Sequence, residues 1–183
     1  MTTVARRNLG LTYNDPIKSA GGFTLFAPQT GKGRVPLIDI NGKIVHEWNM
    51  PVRPGRDAVI LPNGNLGYNG SHNTSVDLYP PWDIWHGGHF MEADRDSKIV
   101  WEYEDPYAHH DAQWLPDGLL YVAATEYKPL RYTDVVKMIN RSGEIIWEWN
   151  ASQHMSEEDW PVHEGMPDNH WPMINGVKLH NDI

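Results

Sequence analysis

Histidine is the residue type in this chain best able to do chemistry, with ten copies in 183 residues. Neutral imidazole can act as nucleophile, general base or metal ligand. Three similar strings draw attention: Gly55-Arg56-Asp57, His109-His110-Asp111 and His180-Asn181-Asp182. The repeated aspartate reads as structural, accepting backbone N–H bonds where repeats meet. The residues before it vary, as site residues on a repeated scaffold do. Arg56, His109, His110, His180 and Asn181 are therefore expected to converge on one site. A guanidinium forks onto sulfate, phosphate or carboxylate. Imidazoles beside it suit the transfer or cleavage of an anionic group. On this reading His110, His180 and His109 are catalytic. Arg56, Asn181, His72, Trp82 and Trp85 bind the substrate, the indoles supplying apolar faces for an aromatic ring. A rival reading is a divalent metal ion held by His86, His89, His110 and His180. His86-Gly87-Gly88-His89 puts two imidazoles within reach of one ion, although that spacing has little specificity. Outside the rival reading no cofactor is expected.

The elements that must position these residues are β-hairpins. After His109-His110-Asp111, apolar positions alternate up to the turn Pro116-Asp117-Gly118, and a second apolar run, 119–124, leaves it. That is a hairpin pattern. A weaker copy runs from Arg56 through Pro62-Asn63-Gly64 to Tyr68, and 178–183 resembles the start of a third. A second motif alternates with the first. Its copies align on Ile44, Ile99 and Ile145, each a strand, a polar turn and a strand that ends in paired aromatic and acidic residues. Two motifs recurring in the same order every ~40–50 residues point to four-stranded propeller blades. A β-sandwich is the competing architecture.

The fold class expected is all-β, a propeller of antiparallel blades, with about three blades here and six in the ring. Strands A to D are expected at 57–61, 65–70, 88–94 and 98–103, then at 110–115, 119–124, 134–140 and 144–150. Residues 23–27, 35–40 and 43–49 supply B, C and D of a blade without its own A. Residues 178–183 supply an isolated A. In domain terms, 1–20 is an N-terminal arm and 21–183 a partial propeller, with blades at about 22–50, 56–104 and 109–150. Insertions at 71–87 and 151–177 elaborate one face, where all histidines but His46 fall. Long loops over a rigid scaffold are where function concentrates. A short helix is expected at 152–158, with Ser156 capping and Asp159 in its first turn. The loop Gln29-Thr30-Gly31-Lys32-Gly33 lacks the Lys-Ser/Thr pair and the following helix of a phosphate loop.

Composition narrows the function further. The net charge is −9 and no basic run is present, which argues against nucleic acid as a partner. No apolar stretch approaches ~18 residues, so no membrane span is expected. The absence of cysteine removes disulfide and thiolate chemistry. No apolar h-region follows Arg6-Arg7, and the location expected is cytoplasmic.

The repeats, from about 22 to 183, resemble those of the arylsulfotransferase family. Leu37-Ile38-Asp39-Ile40-Asn41-Gly42-Lys43-Ile44-Val45-His46-Glu47-Trp48 and His109-His110-Asp111-Ala112-Gln113-Trp114-Leu115-Pro116-Asp117-Gly118 carry the likeness. The resemblance implies a large propeller that moves a sulfuryl group from a phenolic sulfate ester to a phenol through a sulfated histidine. The nucleophilic histidine is implied to lie in blades beyond this sequence. What it implies for this chain is a supporting set, His110, His180 and Asn181. Two other functions compete: a metal-dependent lyase, hydrolase or oxygenase, and a non-catalytic binding propeller. Metal content separates the first from sulfuryl transfer, and inertness toward aryl sulfates and metals marks the second. The partners expected are a small aromatic substrate and a complementary chain or C-terminal half completing the propeller, in preference to a second copy of the chain.

Overall fold

Alternating apolar residues and short polar turns produce eleven strands among the described residues. The computed structural model describes residues 11–71, 87–129, 131–164 and 169–180, without the side chain of Arg56. The first sheet is β1 (Phe23–Leu25), β2 (Arg34–Asp39) and β3 (Ile44–Asn49). The second is β4 (Pro54–Ile60), β5 (Leu66–Ser71), β6 (Gly88–Ala93) and β7 (Ile99–Glu104). The third is β8 (Ala108–Leu115), β9 (Gly118–Lys128), β10 (Arg131–Asn140) and β11 (Ile145–Asn150). Strands follow one another in each sheet, all antiparallel, and no sheet closes on itself. The protein is all-β with three open antiparallel sheets. Among the described residues no helix is long and apolar enough to cross a membrane.

The motif aligned on Ile44, Ile99 and Ile145 is one structure made three times. Asp39 Oδ1 accepts from the N–H groups of Asn41 and Lys43, both at 2.9 Å. Asp94 does the same for Asp96 and Lys98, and Asn140 for Ser142 and Glu144. Such side-chain-to-backbone bonds are why Asp and Asn start tight turns. The fourth residue of each turn is left-handed: Gly42 at φ 75°, Ser97 at φ 67° and Gly143 at φ 83°. A register shift follows at the same place in each copy, so that Ile38 pairs Ile44, Ala93 pairs Ile99 and Ile139 pairs Ile145.

The sheets stack face to face. Val35, Trp48 and Met50 of the first sheet and the segment after it pack on Leu66, Tyr68, Met91 and Ala93 of the second. Phe90, one residue before Met91, points the other way into Leu119, Tyr121 and Val135 of the third. Period-two alternation thus buries both faces of β6. Every residue of β5 is buried. Gly67 lies flat under the Trp114 indole, and a Cβ there would stand 2.8 Å from it. Hydrogen bonds fasten each junction. Trp48 Nε1 donates to Asp94 O at 2.9 Å, and Trp101 Nε1 donates to Arg141 O at 2.8 Å. Stacking also brings β4 and β8, the first strands of their sheets, side by side.

Several expected boundaries shift. β4 and β8 begin earlier than 57 and 110, because a bulge lengthens the head of each strand. β9 and β10 run past 124 and start before 134 as a long hairpin. The described part of 178–183 is not a strand. Leu179 N donates to the Gln113 side chain of β8, as Val177 N just before the range donates to that of Asp111. The expected helix at 152–158 is one turn, α1 (Ala151–His154), capped by Asn150, whose Oδ1 accepts from Ser152 N. Ser156 caps the following turn through Asp159 N. The arm expected at 1–20 is described from residue 11 on, where Leu11 covers the turn at Gly42. Most of the 71–87 insertion lies outside the described residues.

Ser97 is the informative position among the three turns. A left-handed non-glycine residue costs roughly 1–2 kcal/mol, yet the Ser97 hydroxyl accepts from Asn49 N across the junction at 3.0 Å. Ser97→Ala keeps the strain and loses that bond, and should destabilise by about 1 kcal/mol. Ser97→Gly exchanges one effect for the other and should lie near the wild type. Urea unfolding checks the order; an alanine variant as stable as the glycine one would contradict it.

Candidate functional site

The head of β8 is where the sequence's strongest candidates meet. A register shift between Ala108 and Ala112 takes His109, His110 and Asp111 out of regular pairing with β9. A bulge of this kind re-aims side chains. His109 and His110 are both buried, and their Nδ1 atoms approach to 2.7 Å. Adjacent residues on a regular strand point to opposite faces; here the bulge turns both imidazoles together.

Behind His109 stands Asp134 of β10, 0% exposed. Asp134 Oδ1 contacts His109 Nε2 at 3.2 Å and also His170 Nε2. Asp134 Oδ2 accepts from Ile174 N. β9 lies between β8 and β10, and Asp134 is level with Ala124 on it. An alanine there leaves room for a side-chain bond across the middle strand. His170 is fixed by the backbone of its two neighbours, which pair with Tyr132. Tyr132 N donates to Asn169 O at 2.7 Å, and Trp171 N donates to Tyr132 O at 2.9 Å. On the far side, His110 Nε2 meets Asn175 Oδ1 at 2.8 Å and Asn175 O at 3.3 Å. The result is a chain of contacts, His170–Asp134–His109–His110–Asn175.

The segment after His170 runs along β8 in the same direction. Val177 N donates to Asp111 Oδ2 and Leu179 N to Gln113 Oε1, both at 2.6 Å. Asp111 thus has the structural part expected of the repeated aspartate. Its equivalent, Asp57 on β4, is held above the usual carboxylate range by burial and then by the charge of Asp111.

We compared the chain with protein-family models, with curated proteins and with solved structures. It matches none of them.

Of the residues expected at the site, the structure brings together His109 and His110. His180 is exposed and follows Leu179, beyond Gln113, so it is not level with the imidazole pair. His89 is engaged elsewhere, 3.3 Å from Glu102 and 3.4 Å from Glu104. Among the described residues, no three His, Cys, Asp or Glu are arranged to hold a metal ion. His72, Trp82, Trp85, His86, Asn181 and the side chain of Arg56 lie outside the described residues. Sequence reasoning missed Asp134 and Asn175 and left His170 in a loop. Asp134 had one signal, an acidic residue just before the apolar pair Val135-Val136. Asn175 had none.

Burial pushes His170 down to about 4. Near neutral pH it is uncharged and donates Nε2–H to Asp134. The unfolded chain takes up a proton near pH 6.5, which the folded chain refuses until about pH 4. The stability contributed by neutral His170 is therefore full above pH 6.5 and lost as pH falls toward 4. Urea unfolding of the wild type should show a loss of about 2 kcal/mol from pH 7.5 to 5 from this residue. The loss should shrink in His170→Gln. An equal pH dependence in both proteins would refute the assignment.

Proposed function

We propose that this chain supplies an acid/base site, centred on His110, to a propeller enzyme of the arylsulfotransferase type acting on an aromatic, anionic small molecule. The observation that supports it best is the buried Asp134 carboxylate bonded to one imidazole of a contacting pair. A carboxylate behind an imidazole fixes its tautomer and stabilises its protonated form. In sulfuryl transfer the S–O bond to the donor phenol breaks and the leaving phenolate takes a proton. The acceptor phenol loses a proton as its oxygen takes the sulfuryl group. His110 is the residue that gives the first proton and receives the second. The nucleophile is assigned to blades outside this chain.

The assembled protein, given an aryl sulfate and a phenol, should release the donor phenol in an acceptor-dependent way. His110→Ala should lower turnover by ~10²-fold or more. Normal turnover in that variant, or no reaction with any aryl sulfate, would sink this reading.

Assembly with further blades belongs to the same proposal. At both sheet junctions an indole reaches the next sheet's turn. On the equivalent face of the third sheet Trp147 is 48% exposed, and it lines an apolar groove with Leu120, Val136, Met138, Trp149 and the segment from Val177 to Leu179. Apolar faces of this kind mark interaction sites. We assign it to a blade of a complementary chain rather than to a second copy. Native mass spectrometry of the purified protein should find a mixed complex; a folded 21.0 kDa species alone would exclude it.

A further inference from the structure

Counting protons around the imidazole pair leads beyond that reading, although the role given to His110 rests on it. His109 Nε2 faces the Asp134 carboxylate at 3.2 Å and must carry a hydrogen to bond it. His110 Nε2 faces two oxygens of Asn175, at 2.8 and 3.3 Å, and must carry one too. The backbone carbonyl can only accept, and with the Asn175 amide placed Oδ1 toward the ring both partners take that hydrogen. Between the rings, the two Nδ1 atoms at 2.7 Å need a hydrogen between them. The pair thus needs three ring protons, and two neutral imidazoles have two. The balancing charge is beside it. Asp134 accepts from His109, His170 and Ile174 N.

We propose that His109 and His110 together hold one extra proton, kept in place by the Asp134 carboxylate, as a buried proton store. His170 and Asp134 are positioning residues; His110 is the group that exchanges the proton. When His110 Nε2 passes its proton to a ligand oxygen, His110 becomes neutral with hydrogen on Nδ1, still bonded to His109 Nδ1. The cluster then bears the single negative charge of Asp134. Return of a proton to His110 Nε2 restores it. Among the described residues, the groups facing the store include His109 and His110 from β8, Asp134 and Tyr132 from β10, and His170 with Asn175 from 169–180. Asp111 follows on β8, with Asp57 of β4 near it.

Nitrogen-15 spectroscopy of histidine-labelled protein tests the count. In the wild type between about pH 7 and 8, the His109 and His110 rings should show three bonded protons, one ring or the shared pair having imidazolium-type shifts. Asp134→Asn removes the balancing charge and should return the pair to two. A wild-type spectrum with two protons overturns the proposal, and needs no variant to fold. Three protons in both proteins would overturn the part given to Asp134. The spectrum is independent of turnover. A store found in a protein inert toward aryl sulfates would leave this inference standing and remove the functional reading alone.

Discussion

Both faces of a sheet in this protein are apolar, and that constraint shapes everything else. Phe90 and Met91 are neighbours on β6 and belong to two different cores. An isolated meander can bury neither. Each buried aromatic or long aliphatic side chain contributes roughly 1.5–3 kcal/mol, against about 1 kcal/mol net for a typical hydrogen bond. Stacking is therefore the driving term, and the ladder hydrogen bonds follow from it. The indole bonds from Trp48 and Trp101 add direction to a force that has none: they fix where along the strands one sheet meets the next. Glu92 tightens the second junction, accepting from Asn63, Asn65 and Arg141, which lies 4.7 Å over the Trp101 ring.

The imidazole pair depends on that stacking at one remove. A buried carboxylate is expensive unless fully hydrogen-bonded. Asp134 meets the condition with donors from β8 and the chain after 169. None of these is its neighbour in sequence. The site is thus a product of tertiary structure, available only when the third sheet is formed and the segment after His170 has docked. A second buried carboxylate, Asp105, is satisfied in a different way, by Tyr121 Oη at 2.8 Å and Lys137 Nζ at 3.0 Å. Both donate to Oδ2 while Tyr107 N donates to Oδ1, so an ammonium, a hydroxyl and an amide surround this carboxylate where Asp134 has imidazoles.

What was legible in the sequence follows the same division. The strands, their meander order and the three turns were visible because each depends on residues within a few positions: alternation for strands, Asp39, Asp94 and Asn140 for turns. The imidazole pair was visible because its two members are adjacent. Strand ends were less so, since no local pattern marks the bulges at the heads of β4 and β8. The described part of the strand expected at 178–183 is not a strand for a related reason. Its pattern fits a strand, but a strand needs a neighbour's backbone, and the neighbour here offers Asp111 and Gln113 side chains. Asp134 and Asn175 were hidden because nothing local distinguishes them; only the path of the chain after His170 makes them partners.

That path also links the structural and the chemical aspartates. Asp134 holds Ile174 N and Asp111 holds Val177 N, so the segment is fastened on both sides of Asn175 and Gly176. Asn175 is exposed, and among the described residues Gly176 has only Asp111 within 4 Å of where a Cβ would stand. A ligand oxygen that takes the place of the Asn175 oxygens at His110 Nε2 displaces the short span between two anchors, not the anchors themselves. The carboxylate that charges the imidazole pair is thus one of the two groups holding its cover.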